Sequence, residues 1–190
     1  MTEVKASDND RYLAWAVFTQ KSTGKDFFFG DTQLSATPSG GNATTYYNGR
    51  ITQTKDLLAA IAAHNKDKLP VYMVGDFNSS KWANPANAPY DLMTAAGYVD
   101  PLGNTYRSTK TATGATVVTR IATNISSFNS FNRKAPITTY VNGSYLDYIW
   151  TSKGVQVPEW QTVVDIDAAG NFVGIIPSDH NMIRATTYLP

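Results

Sequence analysis

Residues 11–19 (RYLAWAVFT) are apolar at both alternating positions, and residues 26–34 (DFFFGDTQL) continue that character after the glycine-bearing segment Gln20 to Lys25. Apolar residues on both faces predict a strand covered on both sides, and the short break predicts a hairpin. Leu13, Trp15 and Val17 fall on one face of the first strand, Tyr12, Ala14, Ala16 and Phe18 on the other. Both faces therefore expect cover, and both edges expect neighbours. A Ser-, Gly-, Asn- and Thr-rich loop at 35–49 follows. The period then changes to that of a helix from about Asn48 to Asn65, with Ile51, Lys55, Leu58 and Ala62 aligned and Leu57 and Ile61 beside them. Val71 to Val74 reads as a short buried strand ending in Gly75-Asp76-Phe77-Asn78, and a short helix near Tyr90 to Ala96 stops at Gly97. Strands are predicted at 144–152 (SYLDYIWTS), 155–165 (VQVPEWQTVVD) and 181–189 (NMIRATTYL), whereas the Thr-, Ser- and Asn-rich window 101–140 gives no clear pattern. The order of elements is that of a mixed α/β protein of the α+β type with mainly antiparallel pairing, not a regular βαβ repeat.

Composition narrows this picture. The 190 residues make one domain, read as a polar lead-in at 1–10 and the domain proper at 11–190. Apolar residues at 42% supply a core, while charged residues at 16% leave a polar, weakly charged surface. That surface suits an exported bacterial protein, secreted or at the cell surface; a cytosolic chain is the other reading. A net charge of +1 excludes an overall basic nucleic-acid footprint, and the absence of cysteine excludes disulfide and thiolate chemistry. No apolar run reaches membrane-spanning length, and Met1-Thr2-Glu3-Val4-Lys5 lacks the apolar core of a signal peptide. The window 101–140 holds Arg107, Lys110, Arg120, Arg133 and Lys134 and no acid. It fits a patch facing an anionic substrate and a solvated loop equally well.

Three short stretches carry candidate chemistry. Asp76 and Asn78, two residues apart past the end of a buried strand, present a carboxylate and an amide to one side, where ligands bind in layered α/β proteins. The same spacing also fits an Asx turn. In Ser178-Asp179-His180 the neighbouring side chains point to opposite faces, so Asp179 suits a metal or a loop anchor and His180 needs another residue to orient it. Asp147, among the aromatic and aliphatic residues of Tyr145-Leu146-Asp147-Tyr148-Ile149-Trp150, needs a partner if buried, and an imidazole N–H would serve. The second histidine, His64, ends the long helix and reads as structural.

Taken in order, Gly75-Asp76-Phe77-Asn78, Tyr145 to Trp150 and Ser178-Asp179-His180 resemble the endonuclease/exonuclease/phosphatase superfamily, which includes DNase I-like nucleases, inositol polyphosphate phosphatases and neutral sphingomyelinases. Thr32-Gln33-Leu34 resembles the family's Thr-His-Leu strand end, and Arg50, Gln53 and Leu57-Leu58 its following helix. The resemblance implies a four-layer sandwich of two mixed sheets flanked by helices. It also implies hydrolysis of a phosphate ester (nucleic acid, phospholipid or sugar phosphate) with Mg²⁺, or Mn²⁺ or Ca²⁺. Under it Asp76 positions the attacking water and contributes to the metal site with Asp179. Asn78 holds the phosphate or that water, Gln33 holds the phosphate, and His180, oriented by Asp147, contacts the phosphate or acts as base. Two departures accompany it. Gln33 stands where many members have histidine, and no residue among Glu3, Asp8 and Asp10 matches the family's early metal-binding glutamate. The chain is therefore expected to be the C-terminal portion of such a domain, completed by an N-terminal partner segment or by self-association. A non-catalytic phosphate-binding module on the same scaffold is the alternative.

Overall fold

The structure is a computed structural model and describes residues 2–4, 11–82, 87–104 and 114–190. The larger sheet has the order β1 (Thr2–Val4), β2 (Arg11–Gln20), β3 (Lys25–Gln33), β4 (Val71–Asp76), β7 (Asp147–Ser152), β5 (Tyr98–Val99). The smaller has the order β6 (Thr119–Ile121), β8 (Gln156–Val163), β9 (Met182–Tyr188). Both are mixed, with β3–β4 and β6–β8 parallel and the other pairs antiparallel. Helices α1 (Ala43–His64) and α2 (Ala88–Ala95) complete the set.

Alternation along the strands assigns the layers. Met73 and Trp150 face the helices, packing with Leu13, Phe28, Leu57, Ile61 and Met93. Their neighbours Tyr72 and Ile149 face the smaller sheet, with Phe27, Phe29, Val157, Trp160 and Ile183. Each buried Leu, Phe or Met contributes roughly 1.5–3 kcal/mol, so these two cores hold the layers together. The result is an α/β sandwich of two mixed sheets. Among the described residues it has three layers, helices covering the larger sheet only.

Several expectations shift in detail. Thr2–Val4 pairs with β2 instead of trailing as lead-in; Asp8 and Asp10 lie outside the described residues. Helix α1 begins earlier, at Ala43, because the Asn42 side chain accepts from Thr45 N at 3.0 Å and caps it. Its buried face is Arg50, Gln53, Thr54, Leu57, Ala60 and Ile61, while Lys55 and Ala62 are exposed. The polar members of that face are buried because they are bonded. Gln53 Oε1 accepts from Ser35 N and its Nε2 donates to Ser35 Oγ, and Arg50 Nη1 donates to Ser35 O. Asp147 opens β7 instead of lying mid-strand, since Tyr145 O and Leu146 O accept from Lys81 N and Phe77 N of the loop after β4. Cover over β2 is partial. Val17 is 48% and Phe18 50% exposed, and β1 pairs only with Arg11 to Leu13, leaving the rest of that edge open among the described residues.

Candidate functional site

The site forms where β3 and β4 end and β7 begins. Gln33 pairs with Asp76 and Asp76 with Asp147 in the ladders, so three polar residues stand in a row across the sheet. Directly opposite residues of an antiparallel pair lie roughly 4.5–5.5 Å apart at Cα, which brings the two carboxylates to one end of the molecule. Gly75 makes the approach possible. Its φ is +140°, and an added Cβ would lie 1.8 Å from Thr32 O of the neighbouring strand.

Asp76 is held from three directions. Asn78 N donates to its Oδ1 at 2.8 Å, Asn78 Nδ2 to its Oδ2 at 3.0 Å, and Gln33 Nε2 to Oδ2 at 3.4 Å. The Asx turn allowed by the spacing is therefore present, with Asn78 in the left-handed region at φ 47°. Asn78 Nδ2 also donates to Leu34 O at 2.8 Å. Both amide hydrogens are spent, so in this arrangement Asn78 fixes Asp76 and keeps Oδ1 as its remaining polar atom, which can accept from a water. Gln33 Oε1 accepts from Arg11 Nη1 at 2.9 Å, and Nε2 keeps a second hydrogen for a ligand. Burial pushes the Asp76 carboxyl above the usual range. The Asn78 backbone N–H opposes this, the charge of Asp147 adds to it, and His180 and the Gln33 hydrogen bond counter it.

His180 Nδ1 and Asp147 Oδ2 are 2.8 Å apart, with both side chains partly buried. A carboxylate only accepts, so Nδ1 carries the proton and Nε2 is the nitrogen left to meet a substrate. Burial opposes a charged imidazole here. The Asp147 hydrogen bond and the charges of Asp147, Asp76 and Asp179 outweigh it and raise the His180 pKa above its ordinary value. The Phe128 ring stands edge-on to the imidazole at 5.2 Å.

The supporting framework comes from the window that gave no strand pattern. Ser127 Oγ accepts from Leu146 N and Asp147 N, Ser127 O accepts from Asn181 N, and Asn129 N and Ser130 N donate to Asp179 O. One polar segment therefore ties the start of β7 to Asp179 and His180. Sequence reasoning passed over Ser127 and Asn129 because their role lies in long-range bonds that leave no periodicity. Arg50, which the sequence marks only as part of the helix, donates from Nε to Ser79 Oγ at 3.2 Å and anchors the loop after Asn78. Of the five cations in the window, Arg133 donates to Phe172 O and Gly174 O, Lys134 bonds Ala169 O, and Arg120 reaches Leu102 O. Arg107 and Lys110 lie outside the described residues. His64 stacks on Trp15 at the end of α1, as befits a structural residue.

Among the described residues no group of three metal-ligating side chains forms. Asp76, Asp147 and Asp179 nevertheless make this end of the sheet anionic, and a buried carboxylate with a raised pKa is a site where added positive charge is favourable. The donor set fits an ion that keeps several waters and takes one or two carboxylates.

The fold matches a Bacteroides thetaiotaomicron mannosyl-6-phosphatase with a TM-score of 0.65 and 18% identity, covering 95% of this chain and 58% of that one. It matches the human nocturnin catalytic domain with bound sulfate (TM-score 0.56, 19% identity, 97% and 57% covered). It also matches Staphylococcus aureus beta toxin with bound magnesium ions (TM-score 0.57, 18% identity, 94% and 58% covered). The chain thus spans less than three fifths of these structures' length. No curated protein matches the sequence. The sequence profile of one family runs over residues 4–180, nearly the whole chain. The chain belongs to the Endonuclease/Exonuclease/phosphatase family.

Proposed function

We propose that this chain carries the acid–base and phosphate-binding part of a divalent-metal-dependent phosphoesterase with phosphodiesterase or nuclease-like activity. The Asp147–His180 couple carries this reading, standing at one sheet end with Asp76. His180 Nε2 meets a phosphoryl oxygen or takes a proton, while Asp147 holds the ring and stabilises the imidazolium. Asp76, fixed by Asn78 and Gln33, positions the attacking water; Asn78 Oδ1 accepts from that water, and the spare Gln33 N–H donates to phosphate. Mg²⁺, or Mn²⁺ or Ca²⁺, would be held by Asp179 and Asp76 and would neutralise charge on the phosphoryl oxygens.

The reading includes a completing segment. Among the described residues, the edge of β2 beyond Leu13 and that of β9 are open and flank an apolar cleft between the sheets, lined by Phe18, Phe27, Phe29, Ile183 and Ala185. An added strand from an N-terminal partner segment, or a second copy, would cover it.

The test is hydrolysis of plasmid DNA, bis-p-nitrophenyl phosphate and sphingomyelin with Mg²⁺ or Mn²⁺, comparing the native chain with His180→Ala, alongside calorimetric titration with inorganic phosphate. Metal-dependent hydrolysis lost in the variant is the expected result. Phosphate binding that needs His180, without hydrolysis of any substrate, would favour the non-catalytic binding module. Neither activity nor phosphate binding would sink both readings.

A further inference from the structure

A cavity of about 560 Å³ opens beside the Asp147–His180 couple, and both residues form part of its wall. That volume is in the range of small-molecule sites. The rest of the wall is largely aliphatic and aromatic: Val163, Val164, Phe172, Val173, Ile176 and Ile183. Its polar side chains are mostly occupied. Asn129 Nδ2 donates to Ser178 O and Asn181 Oδ1, and Asn181 Nδ2 donates to Ser126 O. A sugar or a nucleobase would therefore find few free donors. The exposed Asp165 in the same wall would repel the next phosphate of a polynucleotide.

The apolar wall is a built feature. Arg133 Nη1 donates to Phe172 O at 2.8 Å and to Gly174 O at 2.7 Å, Phe172 pairs with Ile166, and Gly174 takes the left-handed conformation. These contacts hold out a short loop on which Val173 is 50% and Ile175 90% exposed. Isolated exposed aliphatics are ordinary, but a group of them lining one cavity with the candidate base marks a binding surface.

We propose that this cavity is the subsite for the apolar part of the substrate, so that the chain recognises a phosphoester bearing an aliphatic chain. The inference rests on the phosphoesterase reading, because His180 fixes where the phosphate sits. The chain enters the cavity from that anchored phosphate. Each methylene buried there tightens binding by about two- to fourfold.

The test uses methyl, butyl and hexyl phosphate, dispersed as single molecules, titrated calorimetrically into the native chain alongside inorganic phosphate. Affinity is expected to rise with chain length. Val173→Asn and Val164→Ser should flatten the rise while leaving inorganic phosphate affinity unchanged. Phe18→Ser, in the cleft between the sheets and outside this cavity's wall, should leave the rise intact. Phosphate binding with no dependence on chain length overturns the subsite and leaves the phosphoesterase reading standing. A chain-length rise abolished by Phe18→Ser, or of equal overall affinity in His180→Ala, places the chain elsewhere and also overturns it. No binding of any phosphate overturns both.

Discussion

Lys81 and Asp100 form an ion pair with only 2% of either side chain exposed. Lys81 Nζ also donates to Gly103 O and lies 5.4 and 5.2 Å from the ring centres of Tyr145 and Tyr148. Burial alone would pull the amine's pKa down and push the carboxyl's up; each partner's charge opposes the shift of the other. Lys81→Met keeps the volume and strands Asp100. Breaking a buried pair from one side costs about 3–5 kcal/mol. An independent bound comes from protonation. Neutralising a carboxyl of ordinary pKa near 3.9 at pH 7 costs about 1.36 kcal/mol per unit, or roughly 4 kcal/mol. With a urea slope of about 2 kcal/mol per molar, the unfolding midpoint should fall by about 2 M at pH 7. In the variant the folded-state pKa of Asp100 is raised above its unfolded value, so the variant is least handicapped below about pH 4 and loses stability relative to the native chain as pH rises. Lys81→Met/Asp100→Leu should recover most of the loss. Urea unfolding at pH 5 and pH 7 for the two single variants and the double one makes the measurement. A Lys81→Met cost under about 1 kcal/mol, or one identical at both pH values, would refute the reasoning. The damage should also reach the site, since Lys81 N donates to Tyr145 O two residues before Asp147. Shifted His180 ring signals in the variant would register it.

Other perturbations have defined outcomes. Asp147→Asn removes the charge that raises the His180 pKa, so an NMR titration in metal-free buffer should show that pKa falling, with hydrolysis reduced where hydrolysis is measurable. In the native chain the raised His180 pKa contributes stability that is full below the unfolded-state value and lost as pH rises through the folded one; Asp147→Asn should flatten that dependence. Gly75→Ala drives a Cβ against Thr32 O at a φ of +140° and should cost roughly 2–4 kcal/mol in urea unfolding. A cost within about 0.5 kcal/mol would show that β3 and β4 separate easily. Mg²⁺ should bind the chain weakly in calorimetry, since only Asp76 and Asp179 are proposed to hold it; a tight isotherm would mean that further ligands take part.

What the sequence disclosed and what it hid divide along a physical line. Strands whose apolar residues alternate announce themselves, and Asp76 and Asp147 stood out because a carboxylate at such a place needs a reason. Their meeting follows from register, Asp76 opposite Asp147, which short motifs in a fixed order imply. The buried polar residues stayed hidden. Lys81 and Asp100 are nineteen positions apart in segments of no regular pattern, and a lysine in a loop reads as solvated. Arg50 and Gln53 turned the helix face away from the one that apolar periodicity marks, because hydrogen bonds to Ser35 and Ser79 made burial of polar groups affordable. The window 114–146 shows this most fully. Thr123, Ser126, Ser127, Asn129 and Asn142 are buried there, bonded largely to backbone groups distant in sequence. Order made in this way carries no period, only a composition rich in short polar side chains. In this chain such segments are the ones that position the candidate base. The residues of the candidate site are therefore legible from sequence, while the groups that hold them emerge only from the three-dimensional bonding.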